Sequence, residues 1–196
     1  MSSQRTPSAA ADAASTRRAT RTAALRALAV VALVVALDQL SKHLLESSLR
    51  SGEESKLIPG VALVNTRNRG IAFGVQPGSG LLVSVVIVLA LLALLVYFLR
   101  NATRPLIWLP TGLLFGGAIG NVIDRVREGA VTDFIKLPLG WPPFNLADAS
   151  ITVGVILLVA LVGRDDATRR RARTQTARSG DGRAGAEHSG ESRLRG

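Results

Sequence analysis

Apolar residues along this 196-residue chain fall into four blocks, at 27–45, 81–99, 106–123 and 146–162. Each block is 17–19 residues long, and as helix it spans about 25–29 Å at about 1.5 Å per residue. That approaches the roughly 30 Å hydrocarbon core of a bilayer. Within 81–99 only Ser84 interrupts the run, whereas the first and fourth blocks carry polar residues at one end. The pattern predicts an α-helical integral membrane protein with four transmembrane helices. Residues 55–76 break the pattern: they are rich in β-branched side chains and punctuated by Pro59, Gly60, Gly70 and Gly74. They predict a small extracytoplasmic β-structure between helices 1 and 2.

Charge refines this picture. The net charge is +10, which by itself suits a nucleic-acid binder, but its location argues against one. Residues 1–26 contribute +4, residues 164–196 another +4, and the chain between them +2. Both ends are rich in Arg, Ala, Ser, Thr and Gly and poor in large apolar residues, so residues 1–22 and 164–196 are expected to be disordered basic tails. They flank a membrane domain at 23–163. An even number of spans puts both termini on one side. Arg17, Arg18, Arg21 and Arg26 before the first span, and Arg164 and Arg169–Arg171 after the last, make that side cytoplasmic. Tyr97 and Trp108 then mark the inner interface and Trp141 the outer one. No nucleic-acid partner is implied.

The first block has the basic leader of a signal peptide, but "ALDQLSKHLLE" offers no small-x-small cleavage site, so it is read as a retained helix. With no cysteine, disulfides, thiolate ligands and Cys nucleophiles are excluded. The two histidines, His43 and His188, are far apart, and no metal or other cofactor is expected.

The candidate chemistry lies in polar residues set inside the apolar frame. Asp38 and Lys42 are four apart in "DQLSK" and can pair on one helix face. Burying such a pair is costly unless further partners satisfy it, which points it toward a polar site in the bundle. Asn68 and Gly70 either form a turn or bind something at the membrane surface. Gly112, Gly116 and Gly120 recur every fourth residue and form a groove for another helix backbone. Asn121, Asp124 and Arg125 follow that stripe, Asp124 beside Arg125 reading as a structural ion-pair centre. Asp133 lies nine residues after Asp124 and fifteen before Asp148, across a segment too apolar for an ordinary wet loop. That segment can bring Asp133 back against the start of the fourth span. Two carboxylates sharing a dry pocket do not easily both ionise. The ionised one can activate a water while the protonated one polarises a carbonyl. A helix-capping role for Asp148, or a cation site, stays open at this point.

Five blocks, "DQLSK" (38–42), "NRGIAFG" (68–74), "GGAIGNVIDR" (116–125), "VTDFI" (131–135) and "FNLADAS" (144–150), together resemble the lipoprotein signal peptidases, or signal peptidase II. They occur in that family's order across roughly residues 27–163. The resemblance implies an intramembrane aspartic endopeptidase of the bacterial cytoplasmic membrane, with its active site near the outer face. Its substrates would be prolipoproteins, cut just before a cysteine that carries diacylglycerol, and its other partner would be membrane lipid. The family's catalytic aspartates match Asp133 and Asp148. By the same matching, Asp38, Lys42, Asn68, Gly70, Asn121, Asp124, Arg125, Asn145 and Ala147 would shape or brace the pocket. The chain is expected to act as a monomer. The rival reading is a proton- or cation-coupled carrier, which would also place acidic groups inside a bundle but shows here no inverted repeat. A serine protease is disfavoured because Ser41 and Lys42, adjacent on a helix, point about 100° apart.

Overall fold

A computed structural model describes residues 7–69, 80–138 and 140–164. Residues 1–157 form one compact unit; of the second, 158–196, the described part is the end of a helix.

The first helix, α1, runs Pro7–Ser48, 42 residues. It therefore starts well inside the tail expected to be disordered to residue 22 and ahead of the domain boundary set at 23. The cause is local. Ala and Arg are strong helix formers, Pro7 occupies the first helical position, where it costs nothing, and no Gly or further Pro follows before 48. Ser15, Thr16 and Thr22 return their hydroxyl protons to carbonyls three or four residues back instead of competing with the helix.

Beyond α1, strands β1 (Glu54–Ile58) and β2 (Val61–Asn68) form a hairpin across Pro59–Gly60, with Gly60 at φ 86°. Helices α2 (Gly80–Asn101) and α3 (Trp108–Glu128) follow, then strand β3 (Val131–Lys136) and helix α4 (Leu146–Arg164). The antiparallel sheet has the order β1-β2-β3. Its third strand comes from beyond α3, outside the 55–76 segment from which a β-structure was expected, and Gly70 with the rest of that segment to 76 lies outside the described residues.

α3 packs along α1. A Cβ added at Gly112 would stand 2.7 Å from Val30 Cβ, and one at Gly116 would stand 2.7 Å from Val34 Cβ. The glycine stripe thus seats the α1 backbone at a distance no other residue allows. Gly117 meets the Ala147 carbonyl, so the adjacent face of α3 receives the start of α4 in the same way. Outward, α1 exposes Leu25, Leu28, Leu33, Leu37, Leu40 and Leu44, and α4 exposes Val153, Val155 and Ile156. The innermost α1 position beside α3, in contrast, is Asp38, at 0% exposure. Apolar outside and polar inside is the reverse of a water-soluble bundle. α1 and α4 are each long and apolar enough to cross a bilayer.

Candidate active site

Two devices bring Asp133 to the start of α4. Gly129, at φ 69°, ends α3 and donates its N–H to the Arg125 carbonyl, turning the chain directly into β3. Further on, Phe144 pairs with Ile135 through backbone bonds of 2.8 and 3.0 Å, bringing the chain back against the strand. Asn145 therefore lies beside Asp133, and α4 starts at the next residue.

Asn145, fully buried, connects the two carboxylates. Its Nδ2 donates to Asp133 Oδ1 at 2.7 Å, while its Oδ1 accepts the Asp148 N–H at 2.9 Å. The Asn145 N–H reaches back to Asp148 Oδ2 at 3.4 Å. The pair is a capping box, with the cap at Asn145 and the third helical residue at Asp148. One oxygen of Asp148 thus caps a helix, which answers part of what the sequence left open. The other, Oδ1, accepts from Asn121 Nδ2 at 2.7 Å. Asp133 Oδ2 accepts from Asn68 Nδ2 at 3.0 Å.

Both carboxylates line a cavity of about 590 Å³ whose walls include Asn68, Trp141, Pro142 and Phe144. Burial, aided by the neighbouring Asp148 charge, raises the Asp133 carboxyl to about 6 against the opposing pull of the Asn68 and Asn145 hydrogen bonds and the Lys42 charge. Asp133 therefore keeps its proton to a higher pH than an ordinary carboxylate, up to about 6.

Beneath this pair is a second polar cluster. Lys42 Nζ lies 2.7 Å from both Asp38 Oδ2 and Asp124 Oδ2. Asp124 was expected to pair with Arg125, and it does not: successive residues on a helix diverge, and Arg125 instead donates to the Asn121 carbonyl at 3.1 Å. Asp38 Oδ1 accepts the Ala147 N–H at 2.9 Å, satisfying another first-turn donor of α4. Ala147 is buried, with its Cβ position facing Gly120. Nearly all the predicted residues therefore meet in one region; Asn68 serves from strand β2, not from a turn.

Three contributors escaped the sequence reading. Gln39 donates to Asp124 Oδ1 at 2.8 Å. Thr132 gives its backbone N–H to Asp124 Oδ2 at 3.3 Å and its hydroxyl to Glu46 at 2.7 Å. Arg67 joins Glu46 at 3.2 Å and Glu128, tying β2 to α1 and α3. Gln39 and Thr132 sit inside the quoted motifs, and that placement was the available signal. Among the described residues no cluster of three or more His, Asp or Glu side chains could hold a metal ion.

Residues 30–163 match the family model for signal peptidase (SPase) II. The chain is 45% identical over 140 residues to the lipoprotein signal peptidase of Syntrophomonas wolfei, covering 71% of this chain and 93% of that one. It is 40% identical over 131 residues to that of Halothermothrix orenii, covering 66% and 90%. Among solved structures, a bacterial membrane enzyme determined by the in meso method at 2.3 Å resolution superposes with a TM-score of 0.66 at 32% identity, covering 71% of this chain and 88% of that one.

Proposed function

The chain belongs to the signal peptidase II family, aspartic peptidases that remove signal peptides from prolipoproteins, and on that premise we propose that Asp133 and Asp148 are its catalytic pair. The observation that carries the assignment is Asn145, one buried residue that holds both carboxylates against one cavity, Asp133 through its side-chain amide and Asp148 through its backbone N–H. With one proton between them, the ionised carboxylate takes a proton from water as it attacks the scissile carbonyl. The protonated one hydrogen-bonds the carbonyl oxygen and stabilises the developing charge. Collapse of the tetrahedral diol passes a proton to the departing amine, and no covalent enzyme intermediate forms. The titration belongs to the pair.

The frame for this chemistry is four membrane spans with both termini cytoplasmic and the pair near the outer face. There the substrate's apolar signal segment ends at a cysteine bearing diacylglycerol. The acyl chains enter from lipid, so the reactive bond arrives with its position already set and the encounter becomes intramolecular. Asn68 and β2 line the substrate path, with Gly70 next in the motif; Asp38, Lys42, Asn121, Asp124, Arg125 and Ala147 brace the floor. The enzyme acts as a monomer and uses no metal.

The test is purified full-length chain with one prolipoprotein in lipidated and unlipidated forms. Cleavage of the lipidated form alone, unaffected by EDTA, is the expected result. Cleavage of both forms overturns the lipid requirement, and metal-reversible inhibition overturns the carboxylate mechanism.

A further inference from the structure

Toward its N-terminus α1 outruns the membrane. Its 42 residues extend for about 63 Å, some twice the hydrocarbon thickness. Beside this extension is a cavity of about 400 Å³ between α1 and the turn joining α2 to α3. Arg18, Thr22 and Arg26 line it from α1; Arg104, Leu106 and Trp108 line it from the turn and the start of α3. Three guanidiniums enter the lining, and no carboxylate does among the described residues.

Two of the three guanidiniums are backed by aromatic groups. Arg26 lies over the Trp108 ring, 5.9 Å from its centre, and Arg104 Nη1 donates to the Tyr97 hydroxyl at 3.4 Å. Leu106 has a φ of 64°, in the left-handed region that a branched apolar side chain rarely occupies, and it is 54% exposed. That backbone costs on the order of 1 kcal/mol. It leaves an exposed apolar side chain at the rim of a basic cavity.

Depth identifies the ligand. Arg26 immediately precedes the apolar block 27–45, and Trp108 and Tyr97 are of the type that settles at headgroup level. From Arg26 to Lys42, below the aspartates, α1 rises about 24 Å. The cavity thus sits where hydrocarbon gives way to headgroups, in the leaflet opposite the catalytic pair. We propose that it binds the phosphate of an anionic phospholipid headgroup, clamping the α1 extension to the α2–α3 turn. Guanidiniums match phosphate oxygens in a bidentate fork, and Leu106 and Trp108 lie beside the glycerol and upper acyl chain. A soluble phosphate would gain nothing from that apolar rim. This inference rests on the membrane-spanning reading above.

The experiment titrates the full chain in detergent with dihexanoyl phosphatidylglycerol, dihexanoyl phosphatidylcholine or inorganic phosphate, following the thermal midpoint. Phosphatidylglycerol is expected to bind at least about tenfold tighter than phosphatidylcholine, with no shift from inorganic phosphate at the same concentration. R18Q/R104Q should weaken phosphatidylglycerol about tenfold or more, while R17Q/R21Q, the same charge loss outside the lining, should weaken it less than about threefold. R104K, which keeps the charge and loses the fork, should fall between. Equal binding of the two lipids, equal losses in the two double variants, or an equal response to inorganic phosphate each overturns the proposal. If R18Q/R104Q does not fold, the wild-type lipid comparison and R104K decide it. Wild-type cleavage of lipidated substrate in the same samples checks the peptidase reading separately.

Discussion

Two aspartate pairs lie within one side-chain network and differ in what neutralises them. Asp38 and Asp124 share the Lys42 ammonium at 2.7 Å each, in a cluster almost without solvent. Asp133 and Asp148 receive, among the described residues, side-chain amide N–H groups from Asn68, Asn121 and Asn145 and the Asn145 backbone N–H, and they face a cavity. Asn121 joins the clusters, its Oδ1 toward Lys42 at 3.4 Å and its Nδ2 toward Asp148 at 2.7 Å. The lesson is that residue type does not separate structural from reactive carboxylates. An ammonium locks one pair in place by its charge, whereas neutral donors orient the other pair at the wall of a cavity.

Removing a carboxylate from the reactive pair has the largest expected effect. Asp133→Asn or Asp148→Asn should lower turnover of a lipidated prolipoprotein by about 10²–10⁴-fold while the protein still purifies folded. Normal turnover by either variant would place the chemistry elsewhere. Lys42→Met converts the locked pair into two buried charges without a counterion, costing about 3–5 kcal/mol. A melting experiment showing no loss would mean that Lys42 does not hold the Asp38–Asp124 pair together. Gly120→Ala tests the junction between packing and site. Its Cβ would stand 2.6 Å from Asp38 Oδ2, so the helices must part or the carboxylate must release the Ala147 N–H. The expected loss is about 1–3 kcal/mol.

Asn68→Ala sharpens the comparison through pH. Asp133 holds its proton up to about 6, so with the singly protonated pair active, free-enzyme kcat/KM should decline as pH rises through about 6. Asn68 favours the ionised form, so losing it should move that limb to higher pH; a pH–rate profile displaced the other way contradicts the assignment. Linkage gives the companion sign. The folded chain takes up this proton at about 6 and the unfolded chain near 3.8, so the contribution of Asp133 to stability rises as pH falls across that window. Smallest of all is Arg67→Gln. Arg67 and its partners Glu46 and Glu128 are partly exposed, so the change should cost no more than about 1 kcal/mol. A larger loss in denaturation would show that this clasp belongs with the buried cluster.

The apolar blocks were legible because lipid demands near-continuous apolar length, and the glycine stripe because its four-residue spacing keeps to one helix face. Element ends were less so. Residues 7–26 are helical through Ala and Arg propensity, a signal that the polar composition masked, and α3 continues past its apolar block to Glu128, keeping Asn121 and Asp124 on helix. The partner of Asp124 could not be read locally, since Arg125 is adjacent in the chain and Lys42 lies 82 positions away.

What the sequence by itself determined was periodicity, length, charge placement and the ordered motifs, because these depend on the local solvent of each segment. What only the tertiary structure decided was pairing: β3 entering a sheet begun before α2, Phe144 bridging back to Ile135, and Asn145 reaching both carboxylates. Those contacts join positions that have no local preference for each other. They form because buried backbone and carboxylate groups must find partners wherever the packed helices and sheet bring donors within reach.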